Sequence, residues 1–337
     1  MKRLLFPIVV LSTAVSAFAQ SGPCDRACLN KLVDSYLAAV VAHDPTRVPI
    51  APDAKFVENT KPMKPGDGLW KTASEVPTTF RIYVPDPVAG QVGFIGVMKD
   101  DGKPVELALR LKVRNGRITE MEHLIARGFN GAGSERSLAN LQTPRPGLLA
   151  AVPPAERVPR EQMLKIGLSY YDALVNGDGD AAPFADDCMR HENGMQTTGN
   201  PPPKTPGLGT MQAMGCRDQM FTKTFSYIKG IEPRRVETAD VETGLVFGFS
   251  QFRHPMTEKT FKIVGVPGVE KIDLNIMPFD FPSAHIYKIR GGKIHEIEAL
   301  GVSMPYNSPT GWEQNFRLLC QSHVALPILS AAVFHIR

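Results

Sequence analysis

Leu32–Asn59, LVDSYLAAVVAHDPTRVPIAPDAKFVEN, is matched without a gap by Ile166–Asn193, IGLSYYDALVNGDGDAAPFADDCMRHEN, at an offset of 134 residues. A second match closes each half. Lys112–Glu122 reads KVRNGRITEME and Lys288–Glu298 reads KIRGGKIHEIE, at an offset of 176. Repeats of solenoids run to about 20–50 residues, so the unit here is a whole small domain, duplicated.

Each repeat opens on an amphipathic helix. Leu29, Leu32, Val33, Tyr36, Leu37 and Val40 recur at helical spacing in the first, as do Met163, Ile166, Tyr170, Leu174 and Val175 in the second. A short strand follows, Ala54–Asn59 or Cys188–Asn193, and then a run of strands. Val105–Val113 and Arg117–Leu124 flank Asn115-Gly116, a pair that favours positive φ and a tight hairpin. Leu245–Phe252, Ala284–Ile289 and Lys293–Leu300, the last two around Gly291-Gly292, repeat the pattern. Helices first and an antiparallel sheet after define an α+β plan.

The offset between repeats grows from 134 to 154 at Gly90/Gly244 and to 176 at the last hairpin. The second repeat therefore carries two insertions, near Gln196–Cys216 and near Lys259–Pro282, and added loops on a shared scaffold favour binding there. The expected organisation is a leader over 1–19, a first domain over 24–128, a Pro/Gly-rich, semi-rigid linker over 129–158, a second domain over 159–312, and a tail over 313–337.

Lys2 and Arg3, the apolar Leu4–Val15 and the small-residue site Ala17-Phe18-Ala19 read as an export signal cleaved near Ala19. A periplasmic or secreted protein with no membrane span is expected. Losing Lys2 and Arg3 leaves 36 Lys+Arg against 34 Asp+Glu, too balanced and too dispersed for a nucleic-acid partner. Among five cysteines, Cys188–Cys216 is the preferred bridge, stapling the first insertion. Cys24–Cys28 requires a distorted helix start, because helical positions four apart sit about 5–6 Å apart at Cβ against about 3.8 Å in a disulfide. Cys320 has no assigned partner.

The opening helices at Leu29–His43 and Glu161–Asn176, the pairs Glu58-Asn59 and Glu192-Asn193, the stretch Gly66-Asp67-Gly68-Leu69-Trp70 and the closing hairpins ending ITEME and IHEIE together resemble NTF2-like, or SnoaL-like, domains. The chain is similar to exported proteins that carry two such domains in tandem. The resemblance implies two tandem α+β cones, each with helices packed on a curved antiparallel sheet around a pocket. It also implies chemistry without a cofactor, a carboxylate or histidine serving as acid or base in an apolar cavity. No catalytic residue carries over from the enzymes of that superfamily.

The candidate chemistry gathers in the second repeat. His191, His254, His285 and His295 fall on its strands or strand ends, and histidine suits proton transfer near neutral pH. Alternation places His191 and Asn193 on one face, Arg190 and Glu192 on the other, and His285 beside Tyr287. His191, Glu192, His254 and His285 are the candidate catalytic groups; structural or surface roles are the alternative for each histidine. Glu192 suits a general base, or, like Glu58, a tie to the following loop. Glu120, Glu122, Glu296 and Glu298 line a solvent face or the contact between repeats, or face a pocket. Asn193, Phe279, Phe281, Tyr287 and Trp70 are candidate ligand contacts. Phe279 and Phe281, held between Pro278 and Pro282, form a rim or lid, or else cover a sheet edge; Trp70 walls a pocket or anchors its loop. No H-x-H or H-x3-H spacing points to a metal, and P-loop, dinucleotide, G-x-S-x-G and H-E-x-x-H motifs are absent.

The expectation is a cofactor-independent lyase, isomerase or hydrolase acting on a small, partly apolar molecule. A non-catalytic binder of such a molecule, or a structural module, is the alternative. The two repeats are expected to pair as an intramolecular pseudo-dimer, with a homo-oligomer left open.

Overall fold

The computed structural model describes residues 24–128 and 134–313; the leader and the tail beyond Glu313, with Cys320, lie outside them. The first repeat runs α1 (Arg26–Val41), β1 (Ile50–Glu58), β2 (Lys61–Met63), β3 (Ala73–Glu75), β4 (Arg81–Asp86), β5 (Gln91–Asp100), β6 (Lys103–Arg114) and β7 (Arg117–Ala126). Asp25 caps α1 by accepting from the Cys28 amide at 2.8 Å. Leu29, Val33, Tyr36, Leu37 and Val40 form its buried stripe. Cys24 and Cys28 are disulfide-bonded with Cα atoms 5.3 Å apart. The helix start is not distorted, contrary to expectation, because Cys24 precedes the cap and helical spacing does not apply to it.

The sheet order is β2-β1-β7-β6-β5-β3, with β4 also on β5. β1 pairs parallel to β7 and turns back into β2 through Asn59 and Thr60, at φ 44° and 67°. Asn193 and Gly194, at φ 47° and 73°, make the same turn in the second repeat. The recurring Asn thus answers a backbone demand, since Asn tolerates the left-handed region better than most residues. Its side chain adds a brace. Asn59 exchanges hydrogen bonds with the Ile125 backbone, and Asn193 does so with Gly301.

Between the repeats lie α2 (Ser134–Asn140) and α3 (Pro146–Leu149). This segment is not merely a spacer: it buries Leu141, Leu148 and Val152 against the body. The second repeat continues with α4 (Arg160–Asn176), β8 (Phe184–Glu192), β9 (Met195–Gln196), α5 (Leu208–Gln212), α6 (Cys216–Phe221), β10 (Gly230–Asp240), β11 (Leu245–His254), β12 (Thr260–Lys262), β13 (Lys271–Asp273), β14 (Phe279–Arg290), β15 (Lys293–Gly301) and β16 (Met304–Pro305). Its sheet order is β10-β11-β14-β15-β8-β9, with β16 on β14. The first insertion forms α5 and leads into α6, and Cys188–Cys216 staples its end to β8. The second forms the β12–β13 hairpin over a small core of Met211, Met256, Phe261 and Ile263. Phe279-Asp280-Phe281 is no lid. It is the first part of β14, with Phe279 opposite His254 and Phe281 opposite Phe252, because the strand starts five residues earlier than its apolar run suggests.

The outer faces of the two sheets close on each other. Ile82, Ile95 and Leu124 of the first share one buried cluster with Phe247, Phe249 and Ile286 of the second. A Cβ on Gly93 would stand 2.3 Å from the Phe247 ring, so only glycine admits that side chain. Ion pairs cross the contact reciprocally. Arg26 binds Asp240 at 2.6 Å and Arg160 binds Asp86 at 2.7 Å. Arg26/Arg160 and Asp86/Asp240 are equivalent positions of the two repeats, so residue i meets j and j meets i, as across a two-fold dimer axis. Glu122 joins this interface through Arg235 and Arg110.

Candidate functional site

Each cone is lined by the opposite sheet face and by its opening helix. In the first cone the polar groups are spent on one another. Glu58 accepts from the Leu69 amide at 3.0 Å and meets His123 Nδ1 at 3.2 Å, while His123 Nε2 lies 2.9 Å from the Tyr36 hydroxyl. Burial pushes the Tyr36 phenol far above its ordinary pKa. Trp70 sits edge-on to Tyr36, ring centroids 5.2 Å apart, and is 1 % exposed. It anchors its loop into a packed core rather than walling open space.

The second cone differs at the equivalent positions. Tyr170 and Glu192 keep the residue types of Tyr36 and Glu58, but their neighbours change. Ala299 stands where His123 was, and Arg190 where Phe56 was. Arg190 is fixed from three sides: Nη2 donates to Gln219 at 2.6 Å, Nε to Thr197 at 2.8 Å, and Nη1 to the Tyr170 hydroxyl at 3.3 Å. Glu192, without the histidine and loop amide that hold Glu58, has no hydrogen bond to its carboxyl among the described residues. Its side chain lies deep among protein atoms yet keeps part of its surface open. Burial raises its pKa from the ordinary value of 4.5, although the Arg190 guanidinium pulls the other way. The Tyr227 phenol, pushed up to about 12 by burial and then by the Glu192 charge, belongs to the same group.

His285 and His254 also face this interior. His285 stacks on Tyr287 at 5.7 Å and lies 3.4 Å from the Tyr171 hydroxyl; His254 stacks on Phe279 at 4.1 Å. Burial pulls His285 down to about 3 and His254 to about 4, so both rings are neutral at pH 7. His191 does not join them. It sits opposite Glu298 on the other face, in the contact between repeats, where burial and then Arg145 lower its pKa to about 4. The three histidines therefore do not converge, and the cause is strand alternation: Glu192 points inward only if His191 points outward. Asn193 is committed to Gly301, and His295 pairs with Asp187 at 2.6 Å. Tyr287, Phe279 and Phe281 line the interior as part of its aromatic wall.

Sequence reasoning passed over Arg190, Tyr170, Tyr171, Tyr227 and Gln219. One signal was available. A charged residue two places before Glu192, on the inward side and in place of Phe56, marks a cone that is polar by construction.

Two helix-lined sheets of about seven strands each, packed back to back, define a tandem NTF2-like protein. Over residues 23–125 and 156–301 the chain matches the family described as a domain of unknown function (DUF8021), and it belongs to that family. Among solved structures it is similar to an NTF2-like protein of unknown function from Cytophaga hutchinsonii, at 12% identity over 29% of this chain and 89% of that one, TM-score 0.25. It is also similar to a provisionally assigned polyketide cyclase from Silicibacter sp. TM1040, at 14% identity over 43% and 92%, TM-score 0.29. IdmH from Streptomyces antibioticus, likewise provisionally assigned as a polyketide cyclase, matches at 18% identity over 42% and 91%, TM-score 0.25. No curated protein matches the chain. Likenesses this distant carry no information about chemistry. No helix among the described residues is long and apolar enough to cross a membrane.

Proposed function

We propose that the second cone takes up a small, partly apolar molecule, and that Glu192 acts on it as a general base without a cofactor, in a lyase, isomerase or hydrolase reaction. One observation carries this reading. The same position in the first cone is a carboxylate saturated by Leu69 and His123, whereas Glu192 is left unbonded, partly open and raised in pKa beside Arg190, Tyr170 and Tyr227. An inward carboxylate freed from its structural partners is suited to abstract a proton, and the fixed Arg190 to hold an oxyanion formed by doing so. His254 and His285, neutral and stacked, serve as walls and hydrogen-bonding groups; acid catalysis by their imidazolium forms is disfavoured. Their packing also supports a second reading, binding without turnover.

The leader read at 1–19 and the two disulfides support a periplasmic or secreted place of work. The test is thermal-shift screening with aromatic and polyketide-like compounds, followed by Glu192→Gln on any hit. A base role predicts a hit that still binds but turns over at least about a hundred-fold more slowly. Unchanged turnover removes Glu192 as base; binding with no turnover in the wild type leaves the binder reading.

A further inference from the structure

A second concavity lies outside both cones, where the connector crosses the outer face of the second sheet. Arg145–Pro153 forms one wall; Asp187 and Met189 of β8, Lys288 and Arg290 of β14, and His295 and Glu296 of β15 form the other. The cleft encloses about 490 Å³.

Its charge pattern is uneven, and the duplication shows why. In the first repeat Lys112 stands opposite Glu120 and binds it at 2.8 Å. Lys288 and Glu296 are the equivalent pair and are likewise opposite one another in register. Here, however, the connector's Arg145 takes Glu296 at 2.6 Å and Glu298 at 2.8 Å. Asp187, the other acid of the cleft, is held by His295 at 2.6 Å. Lys288 is left with one partner, the Ala150 carbonyl at 2.5 Å, and no carboxylate within 4 Å of it among the described residues. Its side chain is buried, 4 % exposed. Arg290 is 42 % exposed, and its nearest carboxylates lie only at 3.5 Å and 3.8 Å. Buried cations are ordinarily paired, because desolvation without a counter-charge is costly. Burial accordingly draws the Lys288 amine down to about 8, against the more distant charges of Glu296 and Asp240 and with Arg290 adding to the fall.

We infer that this cleft is a binding site for a small organic carboxylate, whose anionic group meets Lys288 and Arg290 while its apolar body lies on Ala150, Pro153 and Met189. The connector creates the site by taking up the direct contact that Glu296 would otherwise make with Lys288. The site is separate from the cone and does not rest on the role given to Glu192.

The test measures binding of 2-naphthoate and of the neutral 2-naphthylmethanol to the mature full-length protein by calorimetry. The charged probe is expected to bind about ten-fold or more tightly than the alcohol, the scale of one charge-assisted hydrogen bond. Lys288→Met should bring naphthoate down to the level of the alcohol and leave the alcohol unchanged. Naphthoate affinity should fall as pH rises through about 8, where Lys288 loses its proton. Should Lys288→Met not fold, Ala151→Trp, at the exposed rim, should block both probes. Equal affinity of the two probes in the wild type, or naphthoate binding indifferent to both variants, overturns the inference. Loss in Glu192→Gln but not in Lys288→Met places the ligand in the cone, which sinks the cleft site and leaves the cone reading standing.

Discussion

Glu106 offers a sharp test of how the two sheets are joined. It lies on β6 in the contact between repeats, 0 % exposed, and neither carboxyl oxygen has a hydrogen-bond partner. Burial first, and then the nearby charges of Glu298 and Glu192, hold its pKa well above the ordinary value of 4.5. The folded protein therefore keeps this carboxyl protonated at pH values where the unfolded chain has ionised it. With more protons bound in the folded state, stability falls as pH rises from the unfolded pKa towards the folded one. Each unit in that window costs about 1.4 kcal/mol. Glu106→Gln keeps the shape and cannot ionise. Its stability relative to wild type should therefore rise with pH, by up to about 1.4 kcal/mol for each unit that the window spans.

Urea denaturation followed by circular dichroism at about pH 5, 6, 7 and 8 measures this difference. The difference is needed, not the wild-type profile alone. Glu298, pushed up to about 7 by burial, loses stability over the same rising-pH window, whereas the buried His191, His254 and His285 lose it as pH falls below about 6.5. The histidine contributions are common to both proteins and subtract out, whereas that of Glu298, whose charge acts on Glu106, cancels only in part. A stability difference between wild type and Glu106→Gln that does not change with pH would refute the reasoning.

Trp70→Ala should destabilise the protein by about 3–5 kcal/mol, because the fully buried indole packs beside Tyr36 in the core of the first cone; thermal unfolding with and without aromatic ligands checks that the loss is one of packing. Arg160→Met takes the counter-charge from Asp86, which is 1 % exposed and keeps only the Ala89 and Ala239 amides, and should cost about 3 kcal/mol. Arg26→Met strands Asp240 in the same way, and similar losses from the two single variants would verify the two-fold relation between the repeats.

The duplication, the α+β plan, the opening helices, the closing hairpins and the richer second repeat are all legible in the sequence. They are periodic features, and periodicity is a local property that needs no coordinates. Alternation along β8 is legible too, and it alone separates His191 from Glu192. Phe279 and Phe281 are different: their flanking prolines resemble a loop, while strand pairing with β11 is decided by a partner some thirty residues away. At Cys24 a single residue, the capping Asp25, decides whether helical spacing applies.

By itself the sequence determined that this chain is one small fold used twice, since equal patterns of apolar and polar residues bury equal faces. Only the tertiary structure decided what each copy does with its polar groups. Glu58 and Glu192 occupy the same position, as do Lys112 and Lys288. Which member of each pair is satisfied and which is left unpaired depends on His123, Arg145 and the connector, residues distant in the chain and brought within hydrogen-bond reach only by folding.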